Sequence, residues 1–289
     1  MAQFSSEEAM ACRRLIELAL AEDLGKLGDR TSLATIPAST QARATFVARQ
    51  EGVLAGLPAL ALVAQAIDAN LVFEESLSDG QRLMEGDRIA TIAGSLRSIL
   101  AAERTALNFA QRLSGIASLT CEFVDAVKGY PARILDTRKT APGWRLMDKY
   151  AVRMGGGTNH RLGLHDGILI KDNHLAGLGG NILQAVEAAR AYPGNAGLVV
   201  EVEVDTLDQL KLALSARAGI VLLDNMDCTQ LKLAVEMRNE LAPEVLLEAS
   251  GGVNLRNVRA VAATGVDRIS IGALTHSAPA RDIGLDYLS

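Results

Sequence analysis

The sequence predicts an α/β protein with two parts: a mixed layer of short strands and helix, then a parallel sheet or barrel of repeating strand–helix units. Three observations lead there. From Arg133 onward, short apolar runs recur with starts about 20–30 residues apart, each followed by a helical or loop segment. Between Ala42 and Ile92, β-like runs surround a single helical pattern. Apolar residues make up 49% of the chain and aromatics only 3%, so aliphatic side chains and alanine must fill the core.

Along the chain, residues 7–22 carry apolar residues at helical spacing with acids in the first turn, until Gly25, Gly28 and Asp29 break the pattern. The runs ATFVARQ, NLVFEES and DRIATIAG follow, with the helical PALALVAQAI between them, a small α+β layer. A long helical stretch covers about Ser98 to Val127, with Gly115 as a candidate break. The later strands are RILDT (133–137), ILIK (168–171), LVVEVEV (198–204), IVLLDN (220–225), VLLEAS (245–250) and RISIG (268–272). Amphipathic helices lie between them, with Asp227 and Asn254 as N-cap candidates. Six strands are fewer than the eight of a full barrel, so a seventh hides in the glycine-rich middle or the barrel is incomplete.

Charge narrows the ligand. The net charge of −5 argues against nucleic acid, which needs clustered cations. Yet Arg133–His174 holds eight Lys/Arg against four Asp/Glu and three of the four histidines. A local cation cluster on an acidic chain fits a small anionic ligand. Cys12, Cys121 and Cys228 match no zinc spacing and read as buried reduced thiols. The N-terminus lacks a signal-peptide pattern, and the most apolar stretch, Leu54–Ile67, is too short to span a bilayer. A soluble, cytoplasmic protein with no membrane partner is expected.

Barrel chemistry sits at the C-terminal ends of strands. Here those ends carry Asp136, Thr137, Arg138 and Lys139, then Lys171, Glu201 and Glu203, Asp224 and Asn225, Glu248 and Ser250, and Gly272. Polar residues also end strands without any function, but six strands ending so with both charge signs favour a site. Glu201 and Glu203 share one strand face and need a Lys, an Arg or a divalent metal if that face is interior. Ser250-Gly251-Gly252 reads as a phosphate loop or a plain tight turn. Gly155-Gly156-Gly157 is either a loop delivering His160 and Arg161 or merely a turn. These features describe a site for a multiply anionic, phosphorylated ligand and do not choose the reaction.

The run ILDTRKTAPGWRLMDKYAVRMGGGTNHRLGLHDGILIKDNH (134–174) resembles the central segment of quinolinate phosphoribosyltransferases. LAEDLGKLGDRTS, ERTALNFAQRLSGIAS, VEVEV, LLDN, EASGGV and IGALTHSAPARDIGLD extend the resemblance over nearly the whole chain. It implies an N-terminal open α/β layer (residues 1–115, rejoined by the tail 275–289) and an incomplete, about seven-stranded α/β barrel (116–274). It implies phosphoribosyl transfer from phosphoribosyl pyrophosphate to quinolinate with decarboxylation, with Mg²⁺. Arg138, Lys139, His160 and Arg161 would hold the quinolinate carboxylates beside Thr137, and Arg104 would reach in from a neighbouring subunit of a dimer or hexamer. Lys171 would face phosphoribosyl pyrophosphate, and Glu201 and Asp224 the ribose and Mg²⁺, the metal being held indirectly through pyrophosphate. Ser250, Gly251, Gly252, Ile271, Gly272 and Ala273 would hold the 5-phosphate, with Glu203 in support only. Lys139, Lys171, Glu201 and Asp224 form the implied catalytic set. Ala141 and Trp144 depart from the family's usual TRKTTPGLR, which puts packing near Trp144 in question. Rival readings are a paralogue acting on another acidic substrate, such as those found with molybdenum-transport genes, a Schiff-base aldolase using Lys171, and a non-catalytic phosphate-ligand sensor.

Overall fold

The computed structural model describes residues 4–195 and 197–287. The chain forms two compact units: residues 1–121 with 140–156 and 274–289, and residues 122–139 with 157–273.

The first unit opens with α1 (Ser6–Leu24), whose N-cap Ser5 and Glu8 form a reciprocal capping box, followed by α2 (Arg30–Thr35) capped by Asp29. β1 (Gln41–Ala48) and the short β2 (Gly52–Val53) lead into α3 (Leu57–Ile67). Gly56 starts α3 at φ 111°, and Asp79 supplies the cap, accepting the Gly56 and Leu57 N–H groups at 2.8 and 3.1 Å. β3 (Val72–Glu75), β4 (Arg82–Leu83), β5 (Arg88–Ser95) and α4 (Leu96–Ala126) follow. β1 and β5 pair antiparallel in the middle of a four-stranded sheet, with β3 beyond β5.

The expected break at Gly115 does not occur: α4 runs unbroken through it. Glycine is there because a backbone passes close. A Cβ at 115 would lie 2.2 Å from the Pro279 oxygen and 3.0 Å from the Ala280 Cα.

The second unit begins with β6 (Arg133–Leu135). The chain then gives α5 (Arg145–Met154) to the first unit, where Tyr150 Oη donates to Asp79 Oδ2 at 2.6 Å and Arg112 grips both oxygens of the buried Asp148 at 2.9 and 3.0 Å. Trp144, one of the two departures, stacks near Phe109 with ring centroids 4.8 Å apart, and the Arg112 guanidinium lies 5.1 Å over its ring. The strand–helix alternation continues with β7 (Ile168–Ile170), α6 (Asp172–Ala176), α7 (Ile182–Ala191), β8 (Val200–Val204), α8 (Leu207–Ser215), β9 (Ile220–Asp224), α9 (Cys228–Leu241), β10 (Leu246–Ser250), α10 (Val258–Ala262) and β11 (Arg268–Ser270). α11 (Ala273–His276) and β12 (Ile283–Tyr287) complete the chain, and β12 pairs antiparallel with β1.

The six strands of the second unit form one parallel sheet in the order β6-β11-β10-β9-β8-β7. Valines, isoleucines and leucines bury both faces, as parallel strands under helices require. The glycine-rich middle adds a single parallel bridge, Thr158 to Leu135, so the seventh strand is reduced to one residue. Just past it, His160 meets Glu201 of β8 and Glu248 of β10, so the sheet is rolled. Among the described residues β7 pairs only with β8, which leaves the barrel incomplete.

Asp227 caps α9 in a capping box with Gln230. Asn254 does not cap a helix directly. It opens a turn that accepts the Asn257 and Val258 N–H groups, and α10 starts after Asn257. Of the three cysteines expected to be buried, only Cys12 is fully so, with its thiol pKa pushed up to about 12 by that burial, while Cys121 and Cys228 are half-buried. Among the described residues, no helix is long and apolar enough to cross a membrane.

Replacing a helix-interior glycine by alanine ordinarily gains about 1 kcal/mol. At Gly115 overpacking against backbone should cost about 1–3 kcal/mol and win. Gly115→Ala should therefore lower the chemical-denaturation midpoint; an unchanged or higher midpoint would contradict the close approach to Pro279.

Candidate active site

A cavity of about 450 Å³ opens at the C-terminal ends of the parallel strands. Thr137, Arg138 and Lys139 follow β6, and His160 and Arg161 follow the Thr158 bridge. Lys171 follows β7, Glu203 is on β8, Asp224 and Asn225 close β9, Glu248 sits in the middle of β10 and Ser250 ends it, with Gly251 and Gly252 beyond. Leu169, Leu222 and Ser270 complete the lining. The basic segment and the strand-end acids thus share one space, although well over a hundred residues separate Thr137 from Gly252 in sequence.

Asp136, fully buried, organises the first wall. It accepts the Asn159 Nδ2–H at 2.6 Å and the His160 N–H at 2.8 Å, fixing the backbone from which His160 and Arg161 project. His160 Nε2 lies 3.2 Å from Glu201 Oε2 and 3.3 Å from Glu248 Oε1, while Nδ1 accepts the Arg161 N–H at 2.9 Å. Burial opposes charge on this ring and the two carboxylates favour it, but Nδ1 takes up the Arg161 N–H and so carries no proton; the proton that the carboxylates hold is the one on Nε2. Glu248 is fully buried, and its Oε2 accepts from Arg268 Nε at 2.6 Å. Burial alone would raise the Glu248 pKa, but His160 and Arg268 outweigh it and hold it below the ordinary glutamate value.

The cations have separate partners. Lys171 Nζ pairs with Glu203, so the two strand-face glutamates are met by His160 and Lys171. Arg161 donates through Nη1 to the Gly167 carbonyl at 3.0 Å, and its buried Nε has no hydrogen-bond partner among the described residues. Burial lowers the Arg161 pKa, and the nearby Arg138 guanidinium lowers it further. Two crowded guanidiniums and an unsatisfied N–H call for an anion.

Asp224 Oδ2 accepts from Asn225 Nδ2 at 2.7 Å. Asn225 takes a left-handed backbone at φ 54° and donates its N–H to the Ser250 oxygen at 2.9 Å, joining β9 to the glycine loop. Gly251 sits at φ 95°, where a Cβ would fall 2.2 Å from Asn225 Oδ1 and 2.9 Å from its backbone nitrogen. Side chains of Asn254 and Asn257 both donate to the Gly252 oxygen at 3.1 Å, tying down the far side of the loop. The loop is thus tied to the end of β9 on one side and to the turn before α10 on the other.

Other residues named from the sequence lie elsewhere. Glu201 is buried against His160, outside the lining. Ile271 is buried and its N–H bonds the Leu135 oxygen, while Gly272 and Ala273 are half-buried and also outside the lining. Arg104 is exposed on α4 in the first unit. Sequence reasoning gave no role to Arg268 or to the left-handed Asn225. Arg268 is the register partner of Glu248, so an opposite charge facing a strand acid was its only signal, and that needs the register first.

A rolled parallel sheet whose C-terminal side gathers cations, carboxylates and a tied glycine loop defines an α/β-barrel enzyme site for anionic, phosphate-bearing ligands. Residues 29–114 match the family model "Quinolinate phosphoribosyl transferase, N-terminal domain", and residues 116–286 match that for the C-terminal domain. The nicotinate-nucleotide pyrophosphorylase [carboxylating] of Mycobacterium leprae (strain TN) is 47% identical over 96% of this chain and 97% of its own. The chloroplastic protein of that name from Arabidopsis thaliana is 43% identical over 94% of this chain and 82% of its own. The solved nicotinate-nucleotide pyrophosphorylase of Francisella tularensis superposes with TM-score 0.92 at 41% identity, covering 100% of both chains. The chain belongs to the quinolinate phosphoribosyltransferase family.

The loop leading to β7 offers a pH test. Asp166 accepts the Leu162 and Gly163 N–H groups at 2.6 and 2.7 Å. Burial opposes its charge, but these bonds prevail and lower its pKa below the ordinary 3.8. A carboxylate with a depressed folded pKa contributes stability above its unfolded pKa and loses it as pH falls through the folded value. Asp166→Asn should therefore be less stable than the parent at neutral pH, with the gap closing in acid below pH 3.8. A gap independent of pH, read from denaturation midpoints, would contradict this.

Proposed function

We propose that a homo-oligomer of this chain, a dimer or a hexamer, works in the cytoplasm to transfer the phosphoribosyl group of phosphoribosyl pyrophosphate to quinolinate. Carbon dioxide is lost, and nicotinate mononucleotide and pyrophosphate are the products, a step of NAD biosynthesis. The observation that carries this reading is the pair Arg138 and Arg161, crowded together in one cavity with Asp224 and the Ser250–Gly252 loop. Guanidiniums suit the two carboxylates of quinolinate, and the glycine loop suits a sugar phosphate.

In this reading Arg138, Lys139 and Arg161 hold quinolinate beside Thr137 and His160, and Arg104 adds a guanidinium from a neighbouring subunit. The exposure of Arg104 on α4 supports that role. Ser250, Gly251 and Gly252, with Ile271, Gly272 and Ala273 behind them, hold the 5-phosphate. Lys171 faces the pyrophosphate side, with Glu203 fixing its direction. The pyridine nitrogen forms a bond to the anomeric carbon as the bond from that carbon to pyrophosphate breaks. Positive charge builds on the ribose, and the carboxylates of Glu201 and Asp224 favour it. The bond from C2 to its carboxylate then breaks. The electron pair stays on C2, stabilised by the cationic ring nitrogen, and C2 takes up a proton.

Asp224 and its neighbour Asn225 offer hard oxygen donors at the cavity, a set that suits Mg²⁺ shared with phosphate oxygens, with Glu201 behind. Bound there, Mg²⁺ would neutralise charge on the departing pyrophosphate. The Schiff-base alternative fits Lys171 poorly: its amine is ion-paired with Glu203, whereas a nucleophilic amine needs surroundings that favour the uncharged form.

Purified protein given quinolinate, phosphoribosyl pyrophosphate and Mg²⁺ should release pyrophosphate and CO₂ in equal amounts; turnover of nicotinate instead would overturn the reading. Lys139→Ala should lower kcat/KM by at least about 100-fold, the scale of losing a positioned electrostatic group. Arg104→Ala and Arg138→Ala proteins should each be impaired, and hybrids formed by mixing them should regain activity. No regain would remove Arg104 from the neighbour's site.

A further inference from the structure

Both ring nitrogens of His160 are committed to the protein. Nδ1 accepts the Arg161 N–H at 2.9 Å, and Nε2 lies between Glu201 Oε2 at 3.2 Å and Glu248 Oε1 at 3.3 Å. A ring nitrogen that accepts an N–H carries no proton, so the ring proton sits on Nε2, facing the two carboxylates. Glu248 is fully buried and pairs in register with Arg268, whose Nε donates to Glu248 Oε2 at 2.6 Å. The result is a chain of contacts, Arg268 to Glu248 by a hydrogen bond, Glu248 to His160 at ion-pair distance and His160 to Glu201, that joins β11 and β10 to β8 through a residue of the Thr158 segment.

The same three groups, His160, Glu201 and Glu248, are close enough together to invite a metal ion. The hydrogen bonding argues against one. A metal at Nε2 would drive the ring proton to Nδ1, where the Arg161 N–H already points.

We propose that Glu248 and Arg268 are positioning residues of the phosphoribosyl-transfer site, acting through His160 to fix the Glu201 carboxylate beside the cavity. His160 therefore serves Glu201 and does not offer its ring to the substrate. The role rests on the phosphoribosyl-transfer reading above. His160 and Glu248 line the cavity, and Glu201 lies directly behind His160. A carboxylate that stabilises a developing sugar cation acts best when its direction is set before the reaction, because no reorganisation is then needed. Glu201 takes the Nε2–H bond, His160 is aimed by Glu248 and by the Asp136-bound backbone, and Glu248 is aimed by Arg268.

The first measurement uses no substrate. Nitrogen-15 NMR of the four histidine rings at neutral pH, with His160 assigned from the spectrum of a His160→Asn protein, should show Nε2 protonated. An Nδ1–H ring with bare Nε2 would overturn the proposal. The second measurement separates kcat from KM. Glu248→Gln keeps the shape of the side chain but cannot satisfy both Arg268 and His160 as the carboxylate does. It should lower kcat about 100-fold, the cost of misplacing a group near the reacting centre. KM for both substrates should stay within about threefold, because no substrate contact is removed.

Arg268→Gln should show the same split, and Arg268→Lys, which keeps the positive charge at Glu248, should recover part of kcat. These variants carry the test if Glu248→Gln does not fold. A kcat within about twofold of the parent, or a loss confined to KM for quinolinate, would overturn the proposal. The latter result would make His160 a substrate ligand. A wild-type protein with the expected ring state and no turnover would instead refute the functional reading, and the role of Glu248 with it.

Discussion

A carboxylate taken out of water costs several kcal/mol unless a cation or donor meets it. The second unit buries Asp136 just past β6, Glu201 within β8 and Glu248 within β10. Most of the local geometry follows from meeting that cost. Asp136 takes two N–H donors and so fixes the backbone at His160. Glu248 takes Arg268, and Glu201 and Glu248 flank the same imidazole. The polar interior is therefore a framework that sets directions for the groups facing the cavity.

The lining carries the opposite imbalance. The Arg138 guanidinium lies close enough to Arg161 to help lower its pKa, and Arg161 keeps a buried N–H without a partner among the described residues. A bound anion would meet both. The glycine loop works by space: Gly251 has no room for a side chain beside Asn225, and Asn225 accepts a left-handed backbone to join its strand to that loop. In the proposed reading, carboxylates behind, guanidiniums in front and a side-chain-free loop beside them make a divided site for a substrate pair with carboxylates on one member and phosphates on the other.

The first unit meets burial costs in the same way, with different partners. Asp148 is fully buried against Arg112, whose guanidinium also covers Trp144. Asp79 is buried enough to raise its pKa, while Tyr150 and two helix N–H groups hold it in place. Trp144, a departure from the family's usual leucine, is thus part of an aromatic and cation–π contact within this unit.

Read alone, the sequence determined the strand–helix alternation, because parallel strands buried on both faces must be short apolar runs and their helices must be amphipathic. It located the Asp227 cap and the polar residues that end each strand, since both are local patterns. The family was legible too, from the long run of residues 134–174. The tertiary structure alone decided what those polar ends do. Glu248 finds Arg268 only through strand register, and His160 finds Glu201 and Glu248 only because the sheet is rolled. Gly115 looked like a helix break and is instead the place where another backbone passes. Each of these depends on neighbours distant in sequence, and a charge or a glycine reads the same locally whichever neighbour it meets.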